Sequence, residues 1–205
     1  MNTKTTIFLH IPKTAGTSFN SALSLQYAGK PSLHVNVGDR HCSELGSLPN
    51  AERSRIKLLR GHIYFGAHRL LTQPSKYITI LRNPAERVLS YWRYAKLEAE
   101  TAPQGGHWWT DAVRELSFRE HAGSGKDVEL ENGQLRWILG NDKDPSPKWT
   151  QHDLERGIEI LEKYFVSAGI QERFDESLAL ISCLLKWRRP LFFGKSHKVH
   201  ANSTD

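Results

Sequence analysis

Short apolar runs alternate with amphipathic stretches along most of this chain. Thr5–Ile11 is apolar and β-branched and stops at Pro12, which predicts a short buried strand. Phe19, Ala22, Leu23 and Tyr27 then recur at helical spacing, so a helix is expected from Thr17. Residues 28–50 are rich in Gly, Ser, Pro and Asn and read as loop, with a short strand at His34–Val37. "IKLLRGHIY" (56–64) predicts a second core strand that breaks at Gly61, and "KYITILR" (76–82) a third. "NPAERVLSYWRYAKLEAE" (83–100) predicts a helix with Asn83 as N-cap, Pro84 in the first helical position and Glu86 completing a capping box. Helices are expected near 108–121, 131–139 and 150–163, with loops at 101–107 and 141–148. "YFVSAGI" (164–170) predicts a late strand and Phe174–Trp187 an amphipathic helix. Strands alternating with helices predict the α/β class, a parallel sheet flanked by helices on both faces. With no internal repeat and no compositional boundary, one domain spanning 1–205 is expected.

Composition narrows the classes. Hydrophobic residues at 39% and charged residues at 24% suit a packed core and not a disordered chain. No apolar run approaches the roughly 18 residues of a membrane span. Ile7-Phe8-Leu9, with Lys13 close behind, is too short for a signal peptide, so a cytoplasmic protein is the expectation. Cys42 and Cys183 are too few and too far apart for a disulfide framework or a zinc site, and no metal is expected. The net charge of +6 is uneven: residues 51–100 hold ten Lys/Arg against four Asp/Glu, and "KWRRPLFFGKSHKVH" (186–200) holds five basic residues and no acidic one. Such patches suit an anionic ligand, whether nucleic acid, nucleotide or acidic sugar polymer.

The chemistry concentrates in two places. "HIPKTAGTSF" (10–19) sets Lys13, Gly16 and three hydroxyl residues between a strand and a helix. Backbone N–H groups at a helix N-terminus and a nearby ammonium form a cradle for an oxyanion. The nucleotidase pattern G-x-x-x-x-G-K-[ST] does not fit, because Lys13 precedes Gly16. "GSGKD" (123–127) fails it as well, with Asp127 in place of the hydroxyl and Glu120 in place of the first glycine. Where a nucleotidase strand ends in a carboxylate for Mg²⁺, "ITILRNP" ends in Arg82. This chain meets its anion with cations. Arg82 should emerge at the same sheet edge as the 10–19 loop, and Ser90 lies two turns into the next helix on a face shared with Arg87, Tyr91 and Tyr94. An arginine fork with a hydroxyl suits a second phosphate.

Together the two motifs resemble those of sulfotransferases that use 3′-phosphoadenosine 5′-phosphosulfate (PAPS). "HIPKTAGTSF" resembles their 5′-phosphosulfate loop and "ITILRNPAERVLSYW" their 3′-phosphate motif. The resemblance is to carbohydrate sulfotransferases, in particular the heparan sulfate and uronyl 2-O group. "RGHIY" and "YFVSAGIQERFDESLALI" resemble further segments of that group, and the likeness runs from Thr6 to about Ile181.

The resemblance implies a P-loop-nucleotidase-like sulfotransferase fold and in-line transfer of a sulfuryl group to an acceptor hydroxyl, on a sugar or glycan, leaving adenosine 3′,5′-bisphosphate (PAP). By position, Lys13 would meet the bridging region, and Thr14, Ala15, Gly16, Thr17 and Ser18 would wrap the 5′-phosphate. Arg82 and Ser90 would hold the 3′-phosphate, and Lys195, Ser196 and His197 would belong to a late basic loop over the nucleotide. His62 falls where the 2-O group keeps its catalytic histidine, although the histidine expected two residues earlier is Arg60. Gln134 and Arg136, in "ENGQLRWILG", are candidates for lining the acceptor cleft. Neither a metal nor nucleic acid is implied. The alternatives are a nucleotide-dependent kinase and a basic nucleic-acid-binding module. The acceptor stays open between glycan, small metabolite and tyrosyl peptide.

Overall fold

The computed structural model describes residues 4–35, 39–101, 113–125, 127–140 and 148–188. Its centre is a five-stranded sheet: β1 (Thr5–Leu9), β2 (Ser32–Val35), β3 (Leu58–Gly61), β4 (Ser75–Leu81) and β5 (Phe165–Ile170), in the order β2-β3-β1-β4-β5. Every ladder is parallel, with Ile7 opposite Leu59 and Tyr77, and Leu81 opposite Ile170. The helices are α1 (Gly16–Gln26), α2 (Ser43–Ser47), α3 (Asn50–Arg53), α4 (Pro84–Thr101), α5 (Phe118–Gly123), α6 (Gly133–Leu139), α7 (Gln151–Tyr164) and α8 (Phe174–Leu184). Short 3-10 turns at Ala67–Leu70 and Gln171–Arg173 complete the connections.

Alternation along β1 divides the core. Phe8 joins Phe19 and Leu23 of α1, Ile78 and Ile80 of β4, and Leu178 and Ile181 of α8 on one face. Ile7 and Leu9 join Leu59, Tyr77, Phe165 and Trp137 on the other, with Ile160 and Leu161 of α7 packed against them. A parallel sheet covered on both sides explains why β1 is buried at every position.

The expected strands and helices form with shifted bounds, except the helix near 108–121, which breaks at Leu116 and Ser117, where the Ser117 hydroxyl caps the separate short α5. β2 begins at Ser32, two residues before the expected His34, as an edge strand in which Val35 is the buried residue; residues 36 and 37 of the expected strand lie outside the described residues. Asn83 does cap α4, its Oδ1 accepting from the N–H groups of Ala85 (3.0 Å) and Glu86 (3.3 Å). The N–H of Asn83 donates instead to Glu172 (2.9 Å), so the cap is closed from the turn after the neighbouring strand β5, while Glu86 lies 3.8 Å from Arg82. The loops expected at 101–107 and 141–148, and the start of the helix near 108, fall almost wholly outside the described residues.

Candidate functional site

Because all five strands run in parallel, the segments that follow β1, β3 and β4 emerge at one edge of the sheet. The segment after β1 doubles back tightly. Lys13 (φ 68°) and Ala15 (φ 64°) both adopt left-handed backbone, a conformation that costs non-glycine residues free energy and clusters at ligand clamps. Thr14 between them is fully buried, its hydroxyl donating to the Ile11 carbonyl at 2.9 Å. Left-handed residues interleaved in a turn form a concave nest of N–H groups suited to an anion. Ala15 is the N-cap of α1 and offers no capping side chain, and the first turn carries no acidic residue.

Gly16 is required here for a specific reason. A Cβ at this position would lie 1.8 Å from Nε2 of His10. The His10 ring is held in a stack, 5.4 Å from Phe8 and 4.2 Å from His62 between centroids, so a side chain at position 16 would have to push it out of that stack. Burial, with His62 nearby, lowers the His10 pKa to about 3, which keeps this ring neutral.

Two cations face this loop. Lys13 Nζ lies 4.1 Å from the centroid of Tyr94, and the Lys13 carbonyl accepts from the Arg82 guanidinium at 3.3 Å. Burial, then the neighbouring Arg82 charge, lowers the Lys13 pKa from its ordinary value. Arg82 is itself held by Gln134, whose amide accepts from the Arg82 N–H (2.9 Å) and donates to its carbonyl (2.7 Å). Arg87 braces the loop from beneath. Its Nε donates to the Pro12 carbonyl (3.1 Å), another nitrogen donates to the Glu129 carbonyl (2.7 Å), and its fork pairs with the Glu129 carboxylate. Glu129 also accepts from the Trp137 indole at 3.0 Å.

His62 follows β3. Its Nδ1 sits 2.8 Å from the His10 carbonyl. A carbonyl only accepts, so Nδ1 carries the proton and Nε2 presents a lone pair. Burial lowers the His62 pKa below the ordinary histidine value, opposed by that same hydrogen bond. The Trp137 ring lies 6.0 Å from it. Arg60 points elsewhere, donating to the Asn20 carbonyl (3.1 Å) and the Ser24 hydroxyl (2.8 Å) of α1.

A family model described as galactose-3-O-sulfotransferase matches residues 3–191. The chain belongs to that family. Galactose-3-O-sulfotransferase 3 of Bos taurus and of Homo sapiens are each 28% identical to it over 197 residues, covering 89% of this chain and 45% of the relative. The Mus musculus protein of the same name is 28% identical over 196 residues, covering 88% and 44%. The chain thus spans about half the length of the curated relatives it matches. Among solved structures, mouse sulfotransferase SULT7A1 complexed with PAP aligns over 93% of this chain and 61% of that one, at 12% identity and a TM-score of 0.49. The resemblance to PAPS-dependent carbohydrate sulfotransferases stands, and the branch that matches is the galactose-3-O one. Family membership leaves the kinase and nucleic-acid readings without support.

In this galactose-3-O-sulfotransferase family member, the structure brings Lys13, Arg82 and His62 to one edge. Thr17 and Ser18 lie in the first turn of α1, and Ser90 lies part-exposed on α4. Gln134 is engaged with the Arg82 backbone. Arg136 is fully buried, its guanidinium 5.3 Å from the Trp149 ring. Lys195, Ser196 and His197 lie outside the described residues. Four participants had not been singled out: His10, Glu129, Trp137 and Arg40. His10 begins the quoted loop motif and could have been found from its adjacency. Glu129 meets Arg87 across 42 residues, and no local pattern signals that. Among the described residues no cluster of three or more His, Cys, Asp or Glu could hold a metal, and no helix is long and apolar enough to cross a membrane.

Proposed function

We propose that this chain transfers a sulfuryl group from PAPS to a galactose hydroxyl without a metal ion. The observation that carries this reading is the convergence of Lys13, Arg82 and His62 at one sheet edge, in a chain matched to the family over residues 3–191. The residues present fit the donor. The left-handed pair Lys13 and Ala15 and the uncapped start of α1 leave N–H groups for a 5′-phosphate. Arg82, its backbone held by Gln134, suits the 3′-phosphate, with Ser90 two turns into the following helix as the hydroxyl candidate. When bound, the donor supplies the electrophilic sulfuryl group.

The chain's own groups do the rest. Lys13, half-buried beside Arg82, places positive charge where the leaving phosphate oxygen gains negative charge. His62, neutral and protonated at Nδ1, presents Nε2 to take the proton of the acceptor hydroxyl. Arg82 stands where a metal-dependent enzyme would hold a carboxylate, which favours a cradle made of cations.

The test has two arms. PAP at about 100 times its dissociation constant should stabilise the protein by roughly 2.7 kcal/mol without added metal. Adenosine 5′-phosphate should bind more weakly, and Arg82→Ala should erase most of the difference; equal affinity for both nucleotides removes the 3′-phosphate site. His62→Ala should bind PAP almost as the wild type does while transfer to galactose-terminated oligosaccharides falls about 10²–10⁴-fold. Wild-type turnover in that variant assigns the base elsewhere.

A further inference from the structure

Beyond the sheet edge, a cavity of about 500 Å³ opens where the connection after β3 meets α6 and α7. Its lining includes Arg40, Tyr64, Arg69, Gly140, Asp153 and Arg156. Three arginines therefore line it from three separate segments: the turn before α2, the 3-10 turn at Ala67–Leu70, and α7. Asp153 is the one carboxylate among the described lining residues, and it is occupied as a cap. It accepts from the N–H (3.0 Å) and the hydroxyl (2.7 Å) of Thr150 at the start of α7.

Arg40 is fixed in place. It donates to the Tyr64 hydroxyl at 2.9 Å, lies 5.1 Å from the Trp137 ring and 3.8 Å from the Glu129 carboxylate, and keeps its side chain 36% exposed. Tyr64 and Trp137 are buried beneath it with ring centroids 4.6 Å apart, a rigid floor for the cavity mouth. Gly140 closes the far wall, where a Cβ would lie 2.3 Å from the Phe65 carbonyl oxygen. The same Trp137 ring backs His62 at 6.0 Å. Candidate base and Arg40 thus stand on one tryptophan, within the span of a short saccharide. Guanidinium forks recognise carboxylates and sulfate esters through paired N–H donors, and a half-buried, pre-positioned fork loses less freedom on binding.

We propose that this cavity is an acceptor subsite for an acidic group on a sugar adjoining the galactose, so that the acceptor class is acidic oligosaccharides. The proposal rests on the sulfotransferase reading of the neighbouring edge. A uronate carboxylate and a sulfate ester share the chemistry the cavity offers, a flat or tetrahedral oxyanion meeting Arg40, Arg69 and Arg156.

The experiment measures equilibrium binding by calorimetry, so it does not depend on turnover. Three probes are titrated into the PAP-saturated full chain: a neutral galactosyl disaccharide, its glucuronate-bearing analogue and its sulfate-ester analogue. At least one acidic probe should bind about tenfold tighter than the neutral one, a difference of about 1.4 kcal/mol. The acidic probe that shows it identifies the group. Arg69→Ala/Arg156→Ala, both on exposed positions away from the core, should collapse that preference to within about twofold, and added salt should weaken it in the wild type. Equal affinities for all three probes, or a preference untouched in the double variant, overturns the proposal. Failure of PAP to stabilise the protein would instead count against the donor site, an outcome read in the separate nucleotide assay.

Discussion

Arg87 offers the sharpest test of how the loop is held. Its side chain is 1% exposed and that of Glu129 4%, so the ion pair between them is enclosed in protein. Arg87→Met keeps most of the volume but leaves the Glu129 carboxylate charged, buried and short of its main partner, with Arg40 at 3.8 Å and the Trp137 indole remaining among the described residues. Removing one member of such a pair costs about 3–5 kcal/mol. For a chain of this size that corresponds to roughly 6–20 °C in Tm. The Pro12 carbonyl also loses its 3.1 Å donor, so the PAP-induced shift should shrink along with basal stability. Adding Glu129→Gln removes the stranded charge and should restore about 1–2 kcal/mol relative to Arg87→Met, within the usual range for coupled neighbours. Urea unfolding of the wild type, both single variants and the double closes the cycle. If Arg87→Met lies within 1 kcal/mol of wild type, or the two changes simply add, the brace is not what holds the loop.

Two other perturbations follow from the same geometry. Gly16→Ala sets a methyl group 1.8 Å from a ring that Phe8 and His62 hold in place. It should cost about 1–3 kcal/mol and weaken PAP binding, read by thermal unfolding with and without nucleotide; a neutral outcome means His10 can leave its stack. The neutral His10, with its pKa lowered to about 3, makes stability pH-dependent. The unfolded chain binds the proton more readily, so this contribution is fully present above the ordinary value of 6.5 and is lost as pH falls from there toward about 3. His10→Gln should flatten the stability–pH curve through that window, measured by urea unfolding at a series of pH values; an unchanged slope places the titration on other groups.

Much of this arrangement was legible in the residues. The continuous apolar stretch at β1, the run of "KYITILR" and the Asn-Pro start of α4 each carry a local signature, and a parallel α/β plan fixes which strand ends share an edge. β2 was harder to place, since an edge strand with one buried side chain has little hydrophobic pattern to read. The 10–19 loop was visible as composition, but its two left-handed residues are a lysine and an alanine, and neither advertises positive φ. The partners of long reach were invisible. Asn83 is capped by Glu172, 89 residues on, and Arg87 meets Glu129 through the core; only the assembled fold sets those pairs together.

The strand order also dictates when the site can exist. β1 pairs with β3 and β4, never with β2, so Thr6 finds Leu58 and Lys76 and no near neighbour in sequence. The Pro12 carbonyl waits for a guanidinium 75 residues away, and the His10 carbonyl for an imidazole 52 residues away. Closing such distant contacts costs chain entropy before any of them can offset it, which makes parallel sheets slow to assemble. Helix α1 can flicker into being early, yet the turn that precedes it takes its shape only after β3, β4 and α4 have docked. In refolding, nucleotide affinity should therefore rise with the slowest phase. The ligand then selects the finished molecule and ignores every partly folded form.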